Sequence, residues 1–172
     1  MANVDNPHGL LPVYSLFGGA MVVEEFTRAA AYGTALYRGD VVGRINDHTI
    51  TIPATPGTTR ISGVNLVHCV ASYAAATKHL VVVGPDQVFE GQADGSLLEA
   101  DMGLNANLLY GAGDAVALKS AHEIDSATEA ETATLDVHLL GRLRVEENAY
   151  GANVRLEVLI NKHRMASDAV GV

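Results

Sequence analysis

Seven histidines are the residues best placed for chemistry: His8, His48, His68, His79, His122, His138 and His163. Zinc held on a β-sheet takes histidines two apart, or a histidine with a close carboxylate. No His-x-His occurs, and His122-Glu123 and His138 with Asp136 are the nearest approaches. Solvent-facing strand positions account for these residues, and no metal site is expected. Gly95-Ser96 lacks the Gly-x-Ser-x-Gly elbow of a serine nucleophile. Gly111-Ala112-Gly113-Asp114 lacks the glycine and lysine of a phosphate loop and reads as a turn. Glu24-Glu25 and Glu146-Glu147 are adjacent pairs, and neighbours on a strand face opposite ways. Arg38-Gly39-Asp40 spells an adhesion tripeptide but reads as an ordinary turn. A hydrolase site from distant residues such as His68, Asp101 and His138 is the remaining enzymatic alternative. No constellation anchors catalysis, so no enzyme activity and no cofactor is expected.

The single cysteine, Cys69, lies in an apolar stretch and reads as a buried free thiol. No intramolecular disulfide is possible, which fits assembly in a reducing cytoplasm. Eleven Lys and Arg stand against twenty Asp and Glu, a net charge of −9. Nucleic-acid affinity needs cations against phosphates, so no nucleic-acid partner is expected. The start of the chain has no basic region followed by an apolar core and is not read as a secretory signal. The longest apolar-leaning run, Ala29 to Leu36, is too short to span a bilayer, so no membrane partner is expected.

The elements that must position any site are strands. The chain has 172 residues, 48% of them hydrophobic, with 17 glycines and no tryptophan. That length suggests one domain. Strands are expected over Met21–Phe26, Val41–Ile45 and Thr49–Ile52, the last two around a turn at Asn46-Asp47. Others are expected over Leu80–Val83, Val88–Gln92 and Asn107–Tyr110. Ala29–Leu36 suits a helical turn, and Leu118–Glu131 is polar and loop-like. In Thr134–Leu139 and Asn153–Asn161 apolar and polar residues alternate. That places Leu135, Val137 and Leu139 on one buried face, and Val154, Leu156, Val158 and Ile160 on another. Short strands with frequent turn signals predict an all-β fold, a β-sandwich or barrel, jelly-roll-like. Residues 1–20 read as an extended N-terminal arm ahead of a β-rich domain over 21–172. Leu10, Leu11, Val13, Tyr14, Leu16 and Phe17 make the arm apolar, and such a segment needs a surface to lie on, its own domain or a neighbour.

The order of motifs adds a resemblance. The chain carries Pro7-x-Gly9-Leu10-x-Pro12-Val13, Ala35-Leu36-Tyr37-x-Gly39-Asp40-Val41-Val42 and Ile61-x-Gly63-Val64. Pro85-Asp86-x-Val88-Phe89-Glu90-x-Gln92-Ala93-Asp94-Gly95 follows, then Asp101-x-Gly103-x-Asn105-Ala106 and Asp125-Ser126. It closes with Glu147-Asn148-x-x-Gly151-x-Asn153 and Val158-x-Ile160-Asn161-x-His163. This layout resembles the capsid decoration, or cement, proteins of short-tailed bacteriophages. The resemblance implies a virion structural protein, assembled in the host cytoplasm, that binds the outer surface of an icosahedral capsid. It would stabilise joints between major capsid protein subunits and act as a homodimer or homotrimer, with no catalytic residues. The six apolar arm residues are then the expected partner-binding set, and removing residues 1–17 should leave a folded domain that no longer binds shells. A carbohydrate- or receptor-binding β-sandwich of a tail fibre, or another head–tail accessory protein, is the alternative.

Overall fold

The computed structural model describes residues 3–45 and 48–165. The expected turn at Asn46-Asp47 lies outside them. The chain is all-β, with antiparallel sheets and, among the described residues, a single 3-10 turn at Glu99–Asp101. Strands are numbered in chain order. The first sheet runs β1 (Leu11–Ser15), β7 (Gln87–Gln92), β14 (Arg155–Ile160), β12 (Val137–Arg142), β9 (Asn105–Ala106). The second runs β2 (Val23–Arg28), β6 (Thr77–Val82), β5 (Gly63–Asn65), β3 (Val41–Arg44), β4 (Ile50–Thr51). Two further pairs are β10 (Leu108–Asp114) with β11 (Lys119–Ile124), and β8 (Ser96–Leu97) with β13 (Gly151–Ala152).

The sheets pack face to face on one core. Val41, Val64 and Val82 of the second sheet meet Phe89, Val137, Leu139, Leu156 and Val158 of the first. The predicted alternation holds on both C-terminal strands: Leu135, Val137, Leu139, Val154, Leu156, Val158 and Ile160 are all buried, and β12 pairs with β14 antiparallel. The second sheet curls into a half-barrel, its first and last strands meeting at the Thr27–Thr49 bridge. A second core fills the curl, built from Phe26, Leu36, Val42, Ile50, Val81 and Val83. The runs Val41-Val42 and Val81-Val82-Val83 follow from this, because a strand buried on both faces has no polar face to alternate.

Three local expectations are corrected. Gly111 to Asp114 is the end of β10, not a turn. Gly111 faces the Ala121 carbonyl, which a Cβ would approach within 2.3 Å, so glycine there permits close pairing with β11. The polar stretch 118–131 contains β11. Its inward residues are Ser120, His122 and Ile124, so two of its three core positions are polar and the hydrophobic pattern conceals the strand. Ala29–Leu36 forms no helix; Ala31 has φ +55° and Leu36 makes an isolated bridge to Cys69.

Candidate interaction surface

The segment expected as an arm lies on its own domain. Asn3 Nδ2 donates to the carbonyls of Ala149 and Ala152, at 2.8 Å each. Gln92 Nε2 donates to the Val4 carbonyl, and the Asn6 N–H donates to Gln92 Oε1, both at 2.8 Å. Leu10 is 1% exposed and sits in the main core. A Cβ on Gly91 would lie 2.7 Å from its Cδ2, so Leu10 fills the space that glycine leaves. Leu11 begins β1, which pairs with β7. Of the six predicted partner-binding residues, Leu10 is therefore corrected to a core residue and Leu11 is half-buried.

Val13, Tyr14, Leu16 and Phe17 are exposed, Phe17 at 86%. Met21 and Val22, outside the expected set, are exposed a few residues further along the chain. Phe17 stands on a built turn. The Leu16 N–H donates to the Asp86 carbonyl at 3.0 Å and the Gly18 N–H to the Ser15 carbonyl at 3.1 Å. Ser15 Oγ donates to Asp86 Oδ2 and accepts from the Gly19 N–H at 3.3 Å. Gly18 has φ +74°, a conformation glycine adopts without strain. The phenyl ring is thus carried by backbone fixed before any partner arrives, which lowers the ordering cost of binding. β1 ends its sheet, yet Pro12 lacks an N–H and the register shifts between Pro12 and Tyr14. Both features discourage strand addition at an edge, so contact with a partner falls to side chains.

Two cavities flank this architecture. A cleft of about 490 Å³ is lined by Asn6, His8, Glu90, Glu146, Glu147 and Arg155, among others. Burial works to raise the Glu90 pKa, but hydrogen bonds from His8 and Arg155 outweigh it and hold the carboxyl below its ordinary value. Arg155 Nε donates to Glu90 Oε1 at 2.6 Å, and His8 Nε2 lies 3.1 Å from the same oxygen. The second cavity, about 580 Å³, brings together Tyr32, Tyr37 and Tyr110 with Thr51, Asp40 and Gly113.

The histidines are placed differently from expectation. His79, His122 and His163 are buried polar members of the interior, and burial lowers the pKa of each. Among the described residues, no three His, Cys, Asp or Glu side chains converge to hold a metal ion. His68, Asp101 and His138 have separate partners: the Tyr37 ring, the Leu98 N–H and Asn105 Oδ1. Cys69 is free and buried.

His122 forms a buried pair with Asp40, Nε2 to Oδ1 at 3.4 Å. His122 Nδ1 accepts the Val41 N–H at 3.2 Å, so the ring proton sits on Nε2, facing the carboxyl. Burial lowers the His122 pKa to about 3. Burial also raises that of Asp40 to about 6, against hydrogen bonds from Ser120 and the Tyr37 backbone. The two shifts oppose each other in stability. The His122 contribution is present above about pH 6.5 and lost as pH falls toward 3. The Asp40 contribution is present below about pH 4 and lost as pH rises through 6. Between pH 4 and 6 they nearly cancel, since folded and unfolded chains each hold one proton on this pair. Asp40→Asn removes one side of the balance. Urea unfolding should show the variant losing about 2 kcal/mol more stability than wild type between pH 7 and 4.5. Parallel stability curves for the two proteins would show that the pair does not share its proton in this way.

The fold and surface define an acidic all-β protein that presents a fixed apolar tip. No protein-family model, curated protein or solved structure matches the chain.

Proposed function

We propose that this protein is a virion structural component of a short-tailed bacteriophage that binds the outside of the capsid and stabilises joints between major capsid protein subunits. The observation that carries the reading is the exposed apolar segment around Phe17, held by the Ser15–Asp86 turn on a rigid sheet. A large aromatic side chain on a fixed backbone is a suitable energetic anchor for an interface. Many copies on a shell multiply a modest single contact. The net charge of −9 suits a position away from packaged DNA, and self-association into a homodimer or homotrimer would add contacts across a symmetry axis. Phe17→Ser tests this directly. Sedimentation with emptied shells of the cognate phage should show at least a tenfold loss of bound protein, with the melting temperature within about 2 °C of wild type because the side chain is 86% exposed. Unchanged occupancy would refute the assignment of this tip as the contact. Hundreds of copies per particle separate a cement protein from a head–tail connector component, which is present in about a dozen.

The tyrosine-lined cavity favours a second reading, sugar binding by a tail or fibre module, because half of the six tyrosines meet there. A glycan screen read by tyrosine fluorescence separates the two, since the chain has no tryptophan to mask the signal.

A further inference from the structure

Arg28 is the largest fully buried side chain among the described residues, 0% exposed, on β2. A guanidinium stays charged in proteins, and a buried charge is tolerated when an anion and a full set of hydrogen bonds surround it. Among the described residues, Arg28 has no carboxylate partner. One terminal nitrogen donates to Cys69 Sγ at 2.7 Å and the other to the Tyr32 carbonyl at 3.2 Å. The Tyr32 ring lies 5.7 Å from its Cζ, and its Nε has no hydrogen-bond partner among the described residues. Nearby His79 is bonded to Asn65 Oδ1 and Thr77 Oγ1, and its pKa is lowered by burial and then by Arg28, which favours the neutral ring and adds no second positive charge. A buried cation with an orphaned donor marks an incomplete site. Cys69 is the side chain touching Arg28 that ordinary chemistry can convert into an oxygen anion.

We propose that Cys69 is an oxidative modification site, and that its oxidised sulfur supplies the anion that the Arg28 guanidinium lacks. The oxidant is a hydroperoxide. Its O–O bond breaks, an S–O bond forms, sulfur gives up two electrons, and the thiol proton leaves on the departing oxygen: Cys69–SH + ROOH gives Cys69–SOH + ROH. A second equivalent adds another oxygen in the same way and gives the sulfinic acid, which releases a proton. The sulfinate oxygens then accept from Arg28, converting a weak N–H to sulfur contact into charge-assisted hydrogen bonds. Cys69 is 9% exposed and lies beside the exposed residues 70–76, so a small peroxide has a short path to it. The inference is independent of the capsid reading.

The test treats the full chain with excess hydrogen peroxide and maps oxygen gain by peptide mass spectrometry. Met21 and Met165, both exposed, serve as internal controls for oxidant contact. Cys69 should gain two oxygens over the period in which these methionines form sulfoxides, and dimedone should trap the first step. A Cys69 that stays a thiol after both methionines are fully oxidised overturns the proposal. Cys69→Asp and Cys69→Ser supply an independent measurement that needs no oxidant. The aspartate offers Arg28 the anion it lacks, so C69D should melt about 5 °C above C69S at pH 7. A C69D protein that melts at or below C69S also overturns it.

Discussion

Asp136→Ala is expected to lower stability by about 4 kcal/mol, and the melting temperature by about 10 °C. Asp136 is fully buried and its carboxylate joins three segments distant in sequence. Oδ1 accepts the Gly57 N–H at 2.9 Å. Oδ2 accepts the Leu108 N–H at 3.1 Å and the Tyr110 hydroxyl at 3.2 Å. Alanine leaves two backbone donors and a phenol without this acceptor, the Leu108 N–H in the buried interior and the other two half-buried, and each buried orphan costs about 1–3 kcal/mol. Total stability for a domain of this kind is about 5–15 kcal/mol, so the loss is a large fraction of it. The carboxyl itself is strained by burial, which raises its pKa against the pull of its hydrogen bonds and of Lys162. Asp136→Asn keeps the shape but turns one acceptor into a donor facing donors, and should fall between alanine and wild type. Chemical denaturation of the three proteins tests the ranking. An alanine variant within about 1 kcal/mol of wild type would show that the three donors find other acceptors.

Deleting residues 1–17 is expected to abolish cooperative folding, the reverse of what reading the segment as a detachable arm implies. Loss of the buried Leu10 side chain alone costs about 2–5 kcal/mol by the usual measure for leucine in a core. The deletion also removes β1, leaving β7 as a raw sheet edge, and a long unprotected edge favours aggregation. It strips the Gln92 side chain of its bonds to Val4 and Asn6. Circular dichroism and soluble yield should show an unfolded or aggregated product. By contrast Phe17→Ser, which touches only the exposed tip, should remain fully folded. A truncated protein that melts cooperatively within a few degrees of the full chain would restore the arm as a separable device.

These two outcomes mark where sequence reading stopped. Val137, Leu139, Leu156 and Val158 alternate with polar residues and pack on one side only, so period two was visible and the strands were placed. β11 was hidden because Ser120 and His122 occupy its core positions, bonded to the interior rather than to water. Local pattern places three of the buried histidines in solvent for a related reason: burial of a neutral imidazole depends on partners, such as the Val41 N–H for His122, that local pattern does not reveal. Phe17 was named from its residue type, but its separation from Leu10 was not legible. Both lie in one apolar segment, seven residues apart, and one faces the core while the other faces water.

The chain by itself determined the all-β class, because alternating strands and abundant turn residues leave no helical face to bury. It also determined the acidic balance and the lone free thiol, which are matters of composition. Tertiary structure alone decided which apolar residues are core and which are surface, since burial depends on what another strand brings opposite them. The curl of the second sheet gave Val42 and Val81 an interior that a flat sheet would not have, and the pairing of β1 with β7 drew Leu10 inward while lifting Phe17 onto its turn.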